Sequence, residues 1–100
     1  MLRQISIPTL DISGRTDWQS LVDREKNQYL GHVTTAMTAD RNTVYAVYPK
    51  CHALGQIVLK RSDDGGRSWS ERLSVPASWT CSLECPTLFR MADAQGCERF

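Results

Sequence analysis

The chain has 100 residues, 41% of them hydrophobic, with 12 basic and 11 acidic side chains and a formal net charge of +1. That content is too apolar for a disordered segment and is enough for one domain at most. The near-neutral balance gives no electrostatic footprint for nucleic acid or for an anionic membrane surface, so neither is expected as a partner.

The opening stretch, MLRQISIPTLDISGR, lacks the apolar run and small-residue cleavage site of a signal peptide. No segment is long and apolar enough to span a bilayer, so a soluble chain is expected and its compartment is left open. Arg outnumbers Lys nine to three. Guanidinium groups suit bidentate grips on carboxylates, although ordinary surface composition explains the ratio equally well. Residues 1–27 read as an N-terminal segment, an outer strand or a short helix. Within it, TDWQSLVDREKNQYL (Thr16 to Leu30) carries a broken apolar stripe of Trp18, Leu21, Val22 and Tyr29. The pattern predicts a longer helix, or one helical turn followed by extended chain.

From His32 the period changes to that of strands. HVTTAMTA (His32 to Ala39) is β-branched and small, and Asp40 to Thr43 supplies turn chemistry. VYAVY (Val44 to Tyr48) has the composition of a buried strand, in which Tyr45 and Tyr48 serve packing. Pro and Gly in Pro49 to Gly55 break it. QIVLKR (Gln56 to Arg61) predicts a third strand and WSERLSV (Trp69 to Val75) a fourth, with SDDGGRS as the turn between them. The expectation is an all-β, four-stranded antiparallel meander over residues 28–79. The pattern restarts over residues 80–100, where Glu84 to Phe100 predicts strand, turn and strand. MTADRNT (Met37 to Thr43) and RMADAQG (Arg90 to Gly96) hold like places, with Asp40 and Asp93 entering polar turns. A four-stranded unit recurring at this spacing is the sequence form of propeller blades.

Cys81 and Cys85 stand within the loose range of a zinc half-site, but Cys51 and Cys97 bring no second short-spaced pair. No metal and no cofactor are expected, and the four thiols read as free and half-buried.

RSDDGGRSWSER (Arg61 to Arg72) sets two adjacent aspartates beside two glycines and a tryptophan. Here Asp64 can accept hydrogen bonds from the backbone of the turn it opens, Gly66 permits a positive φ, and Trp69 covers the turn. A calcium loop would want alternate oxygen ligands and a closing Glu, which are missing. Asp64 therefore reads as structural, and Asp63 as solvated.

Ser62-x-Asp64-x-Gly66-x-x-Trp69 fits the Asp-box pattern and resembles the repeat of sialidases and related β-propellers. The resemblance extends over Gln28 to Trp79 as a first blade, and over Ser82 to Gly96 as the opening of a second. It implies a six-bladed propeller, which needs about 250–350 residues, so the chain reads as an N-terminal part of one. It also implies a glycoside hydrolase of exo-α-sialidase type acting on terminal sugars of glycans. A non-catalytic propeller that binds glycan or protein, and a truncated inactive product, are the alternatives.

Sialidases open their first blade with Phe/Tyr-Arg-Ile-Pro, whose Arg grips the sugar carboxylate. Leu30-Gly31-His32-Val33 stands at that place, with His32 for the Arg. Where the family carries its acid/base Asp, this chain has Lys50 and His52. The Tyr nucleophile and its Glu partner belong to later blades. Propeller geometry puts His32, Lys50, His52 and Glu84 on the ligand face and the Asp box on the opposite one. His32, His52 and Glu84 are thus the candidate catalytic residues, and Lys50 and Arg90 the candidate substrate contacts. Arg90 is expected to pair with Glu84 or to face solvent. Broad uncovered sheet faces would make a lone blade prone to self-association.

Overall fold

The computed structural model describes residues 5–100; residues 1–4, part of the stretch read above for a leader, lie outside the described residues. Regular structure is antiparallel sheet with two short 3-10 turns, Thr16–Trp18 and Ala77–Thr80. Of the two readings of the N-terminal stripe, the shorter forms: one turn at Thr16–Trp18, then extended chain. None of the described helices is long and apolar enough to cross a membrane.

Three strands make the main sheet, in the order β1 (Thr34–Met37), β2 (Val44–Pro49) and β3 (Ile57–Ser62). Thr34 lies opposite Val47, and Val44 opposite Ser62. The central strand is buried along four consecutive residues, Ala46 to Pro49, because both of its faces are covered. On one face, Tyr48 and Lys60 meet the N-terminal segment, where the Tyr48 hydroxyl donates to Asp23 and Lys60 Nζ donates to the Val22 carbonyl at 2.6 Å. On the other, the Tyr45 ring lies 5.1 Å from that of Phe100.

The predicted fourth strand does not join the ladder. Trp69 to Val75 runs beside β3, with Ser70 N–H donating to the Arg61 carbonyl (2.7 Å) and Leu73 N–H to that of Leu59 (2.9 Å). Three residues on one side thus span two on the other, as in a bulge. Ser70 Oγ, not a carbonyl, accepts the Arg61 N–H at 3.0 Å. The slip frees Arg72 to turn toward the N-terminal segment, and that interaction replaces strand pairing.

A second, two-residue hairpin pairs β4 (Met91–Ala92) with β5 (Glu98–Arg99). The repeat seen in the sequence recurs in its turns. Asp40 Oδ1 accepts from Asn42 N–H, and Asp93 Oδ1 from the N–H groups of Gln95 and Cys97. The first turn touches strand β5, since Glu98 Oε1 accepts the Ala39 N–H at 2.9 Å.

The thiols are free, but only Cys85 is half-buried; Cys51, Cys81 and Cys97 are exposed because they lie in loops that the sheet does not cover. The Cα radius of gyration is 16.9 Å, against about 13 Å for a compact domain of this length. The shape is open.

Candidate functional site

The register gives the main sheet two distinct ends. Met37, Val44 and Ser62 mark one, and Thr34, Pro49 and Ile57 the other. The Ser62–Trp69 turn occupies the first. There Ser62 Oγ, on a residue only 1% exposed, donates to Asp64 Oδ1 (2.7 Å) and accepts the Gly66 N–H (2.8 Å). Asp64 also accepts from the Ser68 hydroxyl (2.5 Å) and Ser68 N–H (2.9 Å). Gly65 and Gly66 take φ of 70° and 92°, a region that side chains resist. Trp69 Nε1 closes the turn by donating to the Gly66 carbonyl at 3.2 Å. Every polar atom of the Asp64 carboxylate is thus spent on its own turn.

Those donors, the Ser68 hydroxyl first and then the Ser68 amide and the Ser62 hydroxyl, hold the Asp64 carboxyl far below its ordinary 3.8. A folded-state value below the unfolded one contributes stability that is complete above the unfolded value and lost as pH falls through the folded one. We expect the denaturant midpoint of the wild type to fall more than that of Asp64→Asn between about pH 4 and about pH 2. Parallel falls would show that the carboxylate does not stabilise the turn.

The opposite end carries the histidines. The Tyr29 ring lies where a Cβ on Gly31 would sit, so any other residue there would displace that exposed ring. His32 follows with φ 56°, a left-handed conformation that aims its ring across the loop after β2. That loop is closed by Lys50 N–H donating to the Gln56 carbonyl (2.8 Å), with Ala53 and Gly55 at φ 61° and 102°. His32 Nε2 and His52 Nδ1 face each other at 3.0 Å, with the rings edge to face and their centroids 4.4 Å apart. One of these nitrogens carries a proton and the other accepts it. Both imidazoles are exposed, and they are suited to proton transfer or to ligand contact.

Glu84 belongs to the same end by its backbone. Gly55 and Ser82 exchange two backbone hydrogen bonds, at 2.9 and 3.0 Å, and Ser82 Oγ donates to the Glu84 carbonyl at 2.7 Å. The exposed Glu84 carboxylate has no hydrogen-bond or ion-pair partner among the described residues. Lys50 starts from the same loop but is drawn away, with Nζ 3.2 Å from Glu25. Arg90 lies at the other end of β1, 3.5 Å from the Met37 carbonyl and 3.6 Å from Glu98. Of the two expectations for Arg90, it does not pair with Glu84; it stays exposed to solvent, beside Glu98 of the β4–β5 hairpin.

A second polar cluster escaped the sequence reading. Asp23 accepts from the Tyr48 hydroxyl and from Arg72 Nε (2.7 Å), with Lys60 Nζ at 4.0 Å. Glu25 holds Arg72 Nη1 at 2.6 Å. Burial works to raise the Asp23 value, but the bonds from Arg72 and Tyr48 outweigh it and the net direction is down. Burial and the Asp23 carboxylate together push the Tyr48 phenol upward, so Tyr48 stays protonated and is no nucleophile. The sequence signal was Lys60, an inward position between Val58 and Ser62 that calls for an anion. A cavity of about 150 Å³ lies beside the cluster, lined by Val22, Asp23, Leu30, Gly31, Val33 and Tyr48.

Among the described residues no three metal-ligating side chains converge. Cys81 and Cys85 therefore form no closed four-ligand centre with other described residues. Comparison of the chain with protein-family models, curated proteins and solved structures returns no match.

Proposed function

We propose that this chain forms the opening blade of a sialidase-like β-propeller whose complete protein cleaves terminal sugars from glycans. The observation that carries the reading is the Ser62–Trp69 turn. Its serine, aspartate, glycines and tryptophan all serve one hydrogen-bonded hairpin, as the Asp-box resemblance requires. The imidazole pair at the far end of the same sheet then marks the ligand face, with His32, His52 and the free Glu84 carboxylate as its acid/base and hydroxyl-binding groups. Lys50 and Arg90 are both spent on ion pairs and serve the scaffold in this reading.

The test is sugar release by the complete gene product from a panel of terminally substituted glycosides, sialosides included. Turnover that falls at least about 100-fold in His32→Asn, by removal of one acid/base group, supports the reading. No turnover on any substrate overturns it.

A second reading, a propeller that binds glycan without cleaving it, is favoured by one feature. Neither histidine hydrogen-bonds a carboxylate among the described residues. Glycan retained on the wild type and lost in both histidine variants, with no bond broken, is its signature.

The open shape and the exposed Leu83, Phe89 and Met91 leave apolar surface for further blades to cover. The isolated chain is therefore expected to self-associate as its concentration rises, measured by sedimentation velocity. A monomer at all concentrations with a sharp cooperative melt would contradict the need for further blades.

A further inference from the structure

We propose that His32 and His52 form a two-imidazole binding site for a divalent transition metal that favours tetragonal or octahedral geometry, Ni2+ and Cu2+ ahead of Zn2+. The facing nitrogens are 3.0 Å apart. Two donors at that separation, each at the usual metal–nitrogen distance of about 2.05 Å, subtend about 90° at the metal. That is the cis angle of a square or octahedral site; a tetrahedral zinc would need the nitrogens about 0.3 Å further apart.

The loops are built to hold this approach. Gly31 lets the Tyr29 ring close over the backbone, and the left-handed His32 turns its ring inward. The 50–56 loop is fixed by its own closing bond and by the double bond to Ser82. Nitrogens that face each other must each swing by about 40° to point at one metal, a movement that the exposure of both rings allows. Two neutral imidazoles release no net proton in the process. The proton between them moves through solvent to the distal nitrogen of its own ring, which frees the facing nitrogen to ligate. Both rings are exposed, so the remaining positions on the metal are open to water or to an oxygen of a bound molecule, and while metal is bound the pair gives up the acid/base role proposed above.

Ni2+ is the probe, because Cu2+ would oxidise the exposed Cys51 thiol beside His52. Calorimetric titration of the full chain with Ni2+ should give one site per chain. His32→Asn and His52→Asn should each weaken it by about 100-fold or more, as when one of two linked donors is lost. Asn suits the left-handed backbone at position 32, and an unchanged circular dichroism spectrum confirms that the fold is kept. Cys51→Ser should leave affinity unchanged, and Zn2+ should bind more weakly than Ni2+. Affinity that survives either histidine variant, falls in Cys51→Ser, or favours Zn2+ overturns the proposal.

Discussion

Asp23→Ala should lower the stability of the chain by about 2–4 kcal/mol, the largest single effect expected outside the strand core. Asp23 is the shared acceptor for the Tyr48 hydroxyl and Arg72 Nε, and the nearest anion to Lys60. Without it, Arg72 keeps Glu25, but Tyr48 loses its partner and Lys60 keeps only the Val22 carbonyl. Lys60 is 8% exposed, so water does not replace the missing charge. Desolvation of an unpaired cation outweighs any gain from removing the carboxylate. The measurement is the urea midpoint at fixed protein concentration. Lys60→Met in the Asp23→Ala background should recover part of the loss, because it removes the stranded charge. An unchanged midpoint in Asp23→Ala would mean that the N-terminal segment is not docked on the sheet.

Ser62→Ala should cost about 1–3 kcal/mol, although only one oxygen is removed. That oxygen both accepts the Gly66 N–H and donates to Asp64, so its loss leaves a backbone donor unpaired and takes from Asp64 Oδ1 one of its two hydrogen bonds, the other coming from Ser68 N–H. Alanine fits the space, and no new group takes over either bond. Ser68→Ala, at an exposed position, should cost less, since water can reach Asp64 there. Urea midpoints of the two variants give the comparison. Equal losses would place the strength of the turn in its glycines and tryptophan instead.

Much of this architecture was legible from residue types. Val44 to Tyr48 reads as a buried strand because β-branched and aromatic residues crowd it, and it forms the central strand. The Ser62–Trp69 turn was readable because each of its residues answers a local demand: an acceptor, a positive φ, an apolar cover. The hairpin at Asp93 was readable for the same reason. Trp69 to Val75 was misread because strand composition does not report register, and a one-residue slip is decided by what Arg72 finds on another segment. The extent of helix in residues 16–30 was open because the apolar stripe is broken: only Val22 of its four residues is half-buried, while Trp18, Leu21 and Tyr29 stay exposed.

The candidate site was legible only in part. Chain topology brings the His32 and His52 loops to one end of the sheet, and the 3.0 Å contact between the rings follows from left-handed backbone at His32, which no residue type announces. Lys50 and Arg90 were chosen for their charge. Their partners, Glu25 and Glu98, come from segments whose docking the sequence does not encode locally.

The most direct test of the central proposal is a crystal or cryo-electron microscopy structure of the complete gene product. The account predicts radially arranged blades with β1 innermost in the first, His32 and His52 opening on a central cleft, and the Ser62–Trp69 turn on the opposite face. A structure in which β1 pairs with a further strand in a continuous sheet, or in which the histidines are buried away from any cleft, would contradict it.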